Sequence, residues 1–241
     1  MWHDFFTVFW KEMTVLRRIY RKPSSFIITG ICVLFFGVFP AFFLGADFVN
    51  SPLTLFYLTI APLVIGTGIA TLAFAGEREA HTLETLFASR LDDLAIVLGK
   101  IIAYTVYAWL YVLLCILSGW ITTVLIVGRI VAYNLQILVG GLLIGFGVAF
   151  FAAAVGALAS LRAGTIKEAR RKLTALYLIV AIPYFALKLM PETAHSDLMA
   201  GLSNSNTWLI VAVVVIFLLV LDTGLLIAIV RRFKRRKMRL D

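Results

Sequence analysis

Residues 76–100 read GEREAHTLETLFASRLDDLAIVLGK, a charged stretch with a short helical pattern, set between two long apolar runs. Glu77, Arg78 and Glu79 open it. From Thr82 a short helix is expected, with Leu83, Leu86 and Phe87 on one face at i, i+3 and i+4, and Glu84 and Thr85 on the other. Ser89, Asp92 and Asp93 follow, each able to cap the next helix. The apolar positions of that helix lead through Leu94 and Val97 into Gly99, Lys100 and the next apolar run. The stretch therefore presents an apolar knob flanked by charge. Such a knob is costly in water and suits a groove on a partner; it can equally fold back on its own bundle. These residues alone leave both open.

The flanking runs decide the fold class. The chain has 241 residues, 62% of them hydrophobic, with mean hydropathy +0.99. Soluble domains hold about 45–50% apolar residues, so this composition is that of an all-α integral membrane protein. Six transmembrane helices are expected, at about 25–45, 53–75, 99–127, 132–160, 173–190 and 207–230, the third and fourth long enough to tilt or to project beyond the lipid. The expected organisation is an amphipathic interfacial helix (1–22), a transmembrane domain (23–230) containing the cytoplasmic loop 76–98, and a basic tail (231–241). No room is left for a second soluble domain, and no cleavable signal is expected at the N-terminus.

The net charge of +9 reads as topology rather than nucleic-acid binding. Lys11, Arg17, Arg18, Arg21 and Lys22 precede the first span; Arg78, Arg90 and Lys100 lie between the second and third; Arg162, Lys167, Arg170, Arg171 and Lys172 follow the fourth. Arg231, Arg232 and five more basic residues fill the tail, while only Arg129 and Lys188 fall on the opposite side. Basic residues collect on the cytoplasmic face, which predicts a multi-pass protein of the cell membrane with both termini inside.

In residues 1–22, Trp2, Phe6, Phe9, Met13, Leu16 and Tyr20 recur every three or four positions, while Lys11, Glu12, Arg17, Arg18 and Arg21 lie mostly elsewhere on the wheel. This predicts a helix in the headgroup region, either a simple anchor or a lever acting on the first span. Pro23 and Ser24 end it and start the first span. Small residues recur at four-residue spacing as Gly141, Gly145, Ala149, Ala153 and Ala157, as Gly37, Ala41 and Gly45, and as Gly66 and Ala70. Such stripes let helices approach closely, within one subunit or between two.

Asp222 is the only carboxylate well inside an expected span, and a buried charge there needs a partner or a job. His3, His81 and His195 all fall outside the spans, which argues against haem or metal ligation in the membrane. Cys32 and Cys115 sit in apolar runs and read as small core residues. No GxxxxGK[ST], HExxH or GxSxG is present, so the chain carries neither a nucleotide-binding loop nor a recognisable catalytic motif.

The order Glu77–Arg78–Glu79, then Thr82–Leu83–Glu84, Leu86 and Ser89, then Gly99–Lys100 opening a span, resembles the signature loop of ABC-transporter permeases of the type-2 export family. The layout of the whole chain is similar to that family too, with its interfacial N-terminal helix, six spans, and coupling helix between the second and third. The resemblance implies an exporter subunit that is not itself an enzyme. It would pair with a second permease copy, most simply as a homodimer, and bind separate ATP-binding cassette subunits that hold ATP and Mg. Glu77, Glu79, Thr82, Leu83, Glu84 and Leu86 would match the part that contacts the ATPase, and Phe87 joins them in force transmission. Ala80–His81 stands where the family commonly has Gly before the Thr, and Ser89–Arg90 where Ser-Pro is common. The family's short helices dipping back before the last span would fall in 191–206, a segment short for them. Two other classes remain on the residues alone: an ion-coupled secondary transporter or channel using Asp222 and prolines such as Pro62 and Pro183, and a scaffold whose basic tail grips anionic lipid.

Overall fold

In hydrocarbon every backbone N–H and C=O must be satisfied within the chain, so apolar runs of this length fold as helices. The computed structural model describes residues 2–21, 23–82, 88–174, 182 and 206–233. All regular structure among them is helical, and five helices are long and apolar enough to cross a membrane: Ser25–Val49, Leu53–Glu79, Asp93–Val127, Leu135–Leu161 and Thr207–Phe233. They are called here the first, second, third, fourth and last spans. The expected span at 173–190 lies outside the described residues except for 173, 174 and 182, as do 191–205 and the tail beyond Phe233.

The second span lies at the centre, with 72% of its apolar window buried against 17% for the first and last spans. It packs on the fourth through absent side chains. A Cβ on Gly66 would lie 2.9 Å from the Ala152 methyl, and one on Gly156 would lie 2.6 Å from the Ala70 methyl and 2.8 Å from the Thr67 carbonyl. Gly145 likewise takes Val112 of the third span, and Gly141 takes Leu58 of the second. The small-residue stripes are thus filled inside one chain at Gly37, Gly66, Gly141 and Gly145, while a Cβ on Gly45 would meet nothing within 4 Å.

The first span is irregular for a reason visible in its sequence. Pro40 has no N–H to give the carbonyl four residues back, and its ring crowds that turn. The helix Pro23–Val33 accordingly widens into a π-helical turn at Leu34–Val38 before Phe39–Leu44 resumes, and Gly45–Val49 closes as a 3-10 turn. The widened turn carries Gly37 onto the third span beside Cys115 and Ser118, where a Cβ would collide with the serine hydroxyl.

The third span is longer than expected. It begins at Asp93 rather than Gly99 and runs for 35 residues, about 52 Å against a hydrocarbon core of about 30 Å. Asp92 takes the N-cap position by backbone geometry, but its carboxylate makes no capping hydrogen bond.

The N-terminal helix Trp2–Tyr20 runs beside the first turns of the third span, with Val8 against Gly99 and the Tyr20 ring on Tyr107. Its inward residues are Val8, Glu12 and Leu16, while Trp2, Phe6 and Trp10 are exposed. The expected placement of Glu12 on the water face is therefore corrected: it shares the buried stripe with Val8 and Leu16, because its partner waits on the third span. The exposed rings suit the headgroup region.

Candidate functional site

Three consecutive residues at the end of the second span organise the site. Thr71–Phe74 form a turn after the helix Leu53–Ala70, and the short helix Ala75–Glu79 then presents Glu77, Arg78 and Glu79 in three directions.

Glu77 faces the N-terminal helix and the third span. Its Oε1 accepts from Lys11 Nζ at 2.7 Å and lies 2.9 Å from Lys100 Nζ. Lys100 also donates to Glu12 Oε1 at 2.8 Å, and the Tyr104 hydroxyl donates to Glu12 Oε2 at 2.8 Å. Two carboxylates and two ammonium groups thus form one neutral cluster. Lys100 is 1% exposed and Glu12 is 4% exposed, so neither could remain charged here without the other. The Lys100 ammonium also stands 5.6 Å from the centre of the Phe74 ring, and Phe74 packs on Phe233 at the end of the last span. Lys100, expected as a loop charge that marks topology, is in fact an internal counter-ion.

Burial alone would raise the Glu12 carboxyl. The Lys100 ammonium, then Lys11 and the Tyr104 hydroxyl outweigh it and hold the group below its ordinary value. Burial would likewise depress Lys11, but Glu77 and then Glu12 outweigh it and leave the ammonium raised.

Arg78 points the other way. Its guanidinium donates to the carbonyls of Ala163 and Leu161, covering the end of the fourth span, where helical carbonyls lack partners. Glu79 Oε1 accepts from the backbone N–H of Ile166 at 2.8 Å, at the start of the helical residues 166–174. A carboxylate there meets both unpaired donors and the positive end of the helix dipole. Three adjacent side chains therefore bind the N-terminal helix, the third span, the fourth span and the helix that follows it.

Beyond Glu79 the chain turns sharply. His81 adopts φ +54°, in the left-handed region, and Thr82 donates both its N–H (2.9 Å) and its hydroxyl (3.3 Å) to the Glu77 carbonyl. Thr82 is exposed, and the short helix expected to open there runs into residues 83–87, outside the described residues. The left-handed backbone at His81 is the physical reason a glycine suits this part of the loop. Leu83, Glu84, Leu86 and Phe87, the expected coupling face, lie outside the described residues.

Asp222 sits in the last span on the stripe that also buries Ile229 and Phe233, with about 16 Å of helix between it and Phe233. It is 7% exposed, and its Oδ1 has no hydrogen-bond partner among the described residues. The structure brings Glu77, Glu79 and Thr82 together and leaves Asp222 apart from them.

No protein-family model matches the chain, and no curated protein matches it.

The sequence reading missed Glu12, Lys100, Tyr104 and Arg78 as members of this site. One signal was available: Glu12 follows Val8 and precedes Leu16 at four-residue steps, so a wheel drawn on those aliphatic residues, rather than on the rings, places it inside.

Proposed function

We propose that this chain is the permease subunit of an ATP-driven exporter, moved by separate ATP-binding subunits that dock at Thr82–Phe87. The carrying observation is the convergence of helix ends on Glu77, Arg78 and Glu79, directly before that segment. A push on the segment would reach the third span through Lys100, the fourth through Arg78 and the N-terminal helix through Lys11. The chain has no nucleotide-binding loop of its own, so in this reading the work comes from a partner. In this reading the charged end faces the cytoplasm, the membrane is the cell membrane, and two copies form the pathway. The resemblance of residues 76–100 supports it.

The test is to replace Leu83, Leu86 and Phe87 together by Asp, purify the chain from its native membranes in mild detergent, and assay for a co-purifying P-loop ATPase. The unaltered chain should bring the ATPase with it and the variant should not. Complex formation that survives the three aspartates removes the assignment.

Asp222 favours a second reading, an ion-coupled transporter, because its orphaned oxygen lies within a span. Transport that follows an ion gradient, ignores ATP and is lost in Asp222→Asn would replace the first reading with this one.

A further inference from the structure

A cavity of about 630 Å³ lies between the N-terminal helix and the end of the second span. Val15, Leu16, Ile19, Leu72 and Ile166 give it an apolar wall, and Lys11, Glu12, Glu77, Thr82, Ser89 and Tyr104 give it a polar side. The Glu77 carboxylate is only half used. Oε1 takes both lysines, whereas Oε2 is buried without a hydrogen-bond partner among the described residues. An unsatisfied carboxylate oxygen away from water is costly and calls for a donor. Lys11 keeps donor capacity open at the surface. Its ammonium has three donors, of which Glu77 takes one at 2.7 Å and Glu12 at most one more at 3.5 Å, and its side chain is half-exposed.

The group that answers both carries an N–H cation for Glu77 Oε2, an anion for Lys11 and an apolar body for the aliphatic wall. We propose that this cavity binds a zwitterionic aminophospholipid of the ethanolamine type. The primary ammonium donates to Glu77 Oε2, the phosphate accepts from Lys11 Nζ, and part of one acyl chain lies along Val15, Ile19 and Leu72. Lys11 swings aside to admit the head group. The site stands at the depth where such lipids are abundant, since Trp2, Phe6 and Trp10 of the same helix are exposed as an interfacial face. A choline head group has the same charge but no N–H, so it leaves Oε2 unsatisfied. A glycerol head group brings hydroxyls but no cation. The cavity also reaches Thr82 and Ser89, but the lipid measurement needs no ATPase partner.

The experiment uses the full chain, delipidated in detergent, titrated with dioctanoyl phosphatidylethanolamine, phosphatidylcholine and phosphatidylglycerol, with binding read by native mass spectrometry and by thermal shift. The ethanolamine lipid should bind saturably and at least about tenfold more tightly than either of the others. Ile19→Trp, which fills the cavity and leaves the charged cluster intact, should abolish that preference while the helical circular dichroism stays unchanged. Glu77→Gln should bring the ethanolamine lipid down to the choline lipid. Equal binding of ethanolamine and choline lipids overturns the proposal, as does a preference that persists in Ile19→Trp. Tighter binding of the glycerol lipid would mean attraction to a basic surface and would overturn it too. No binding by any lipid would leave the cavity to a protein side chain and end the lipid assignment.

Discussion

Where the second span meets the fourth, the contact is made by what is missing: Gly66 against Ala152, and Gly156 against Ala70 and the Thr67 carbonyl. At the end of the same span the contact is made by charge, as Glu77, Arg78 and Glu79 reach three different elements. The difference follows from the solvent. Lipid is as apolar as leucine, so burying leucine between helices gains little, and close approach and dispersion, with a few side-chain hydrogen bonds such as Trp109 Nε1 to the Leu142 carbonyl, hold spans together. At the charged end water competes, and polar groups taken from it must be paired with defined partners. Close packing tolerates many similar arrangements, whereas a shared carboxylate fixes which lysine stands where. The middle of this protein is thus held by fit and its charged end by specific pairing.

The largest effect should come from breaking the pairing. Lys100→Met leaves the Glu12 and Glu77 carboxylates buried beside each other with only half-exposed Lys11 to share. It should cost about 3–5 kcal/mol, the range for removing one partner of a buried pair. Glu12→Gln combined with Lys100→Met should recover a good part of that loss, because the orphaned charge goes too. Unfolding in detergent, followed by circular dichroism, measures both. A mild single variant would mean that the cluster is wet and that the charged end is no more specific than the middle.

The middle is tested by adding a single carbon. Gly156→Ala places a methyl at 2.6 Å from Ala70 and 2.8 Å from a backbone carbonyl that cannot retreat, so it should cost about 1–3 kcal/mol. Gly30→Ala and Gly224→Ala add the same carbon where nothing lies within 4 Å. They should be neutral or gain up to about 1 kcal/mol from helix propensity. Equal outcomes at all three positions would show that spans two and four do not depend on close approach.

A smaller effect separates the ends by pH. Glu12 has a folded pKa below its ordinary 4.5, so its contribution to docking the N-terminal helix is present above that value and is lost as pH falls through the folded one. Lys11 has a folded pKa above 10.5, so its contribution is present below 10.5 and lost as pH rises through the folded value. Protease access to residues 2–20 should stay flat between about pH 5 and 10 and increase beyond both limits, while the contact of spans two and four stays unchanged. A step near neutrality would mean that another group controls docking.

Five of the six expected spans were legible in the sequence because apolar runs of membrane length have few alternatives, while the one at 173–190 falls outside the described residues except for 173, 174 and 182. The charged end was legible only as composition. Glu12 read as a surface charge because a helical wheel shows one helix, and the ion that neutralises it, Lys100, lies far along the chain. The same blindness shortened the third span: Lys100 read as a boundary because a lone lysine in lipid is prohibitive, yet paired with two carboxylates it lies inside a helix that begins at Asp93. The widened turn at Leu34–Val38 escaped for a different reason. Pro40 signals a disturbed turn, but whether the helix kinks or widens depends on the neighbour, here Ser118 and Cys115 fitting against Gly37. Glu77, Arg78 and Glu79 were visible as the charges that open the loop, while their three directions appear only once the helix ends around them are placed.

The smallest expected effect lies at the hinge between pairing and fit. His81 holds φ +54°, a conformation that costs a non-glycine residue of order 1 kcal/mol, and it is exposed. His81→Gly should relieve that strain at the expense of a floppier unfolded chain, for a net gain near 0.5 kcal/mol or less. His81→Ala keeps the strain without the imidazole and should cost about as little. If the turn matters only as backbone, both variants keep the Thr82 bonds to the Glu77 carbonyl and, on the proposed exporter reading, still co-purify an ATPase. Loss of the ATPase in both, with stability unchanged, would assign the imidazole to the partner's surface. Loss in His81→Gly alone would show that the loop must be stiff as well as turned, and specific pairing would then extend past Glu79 into the docking segment.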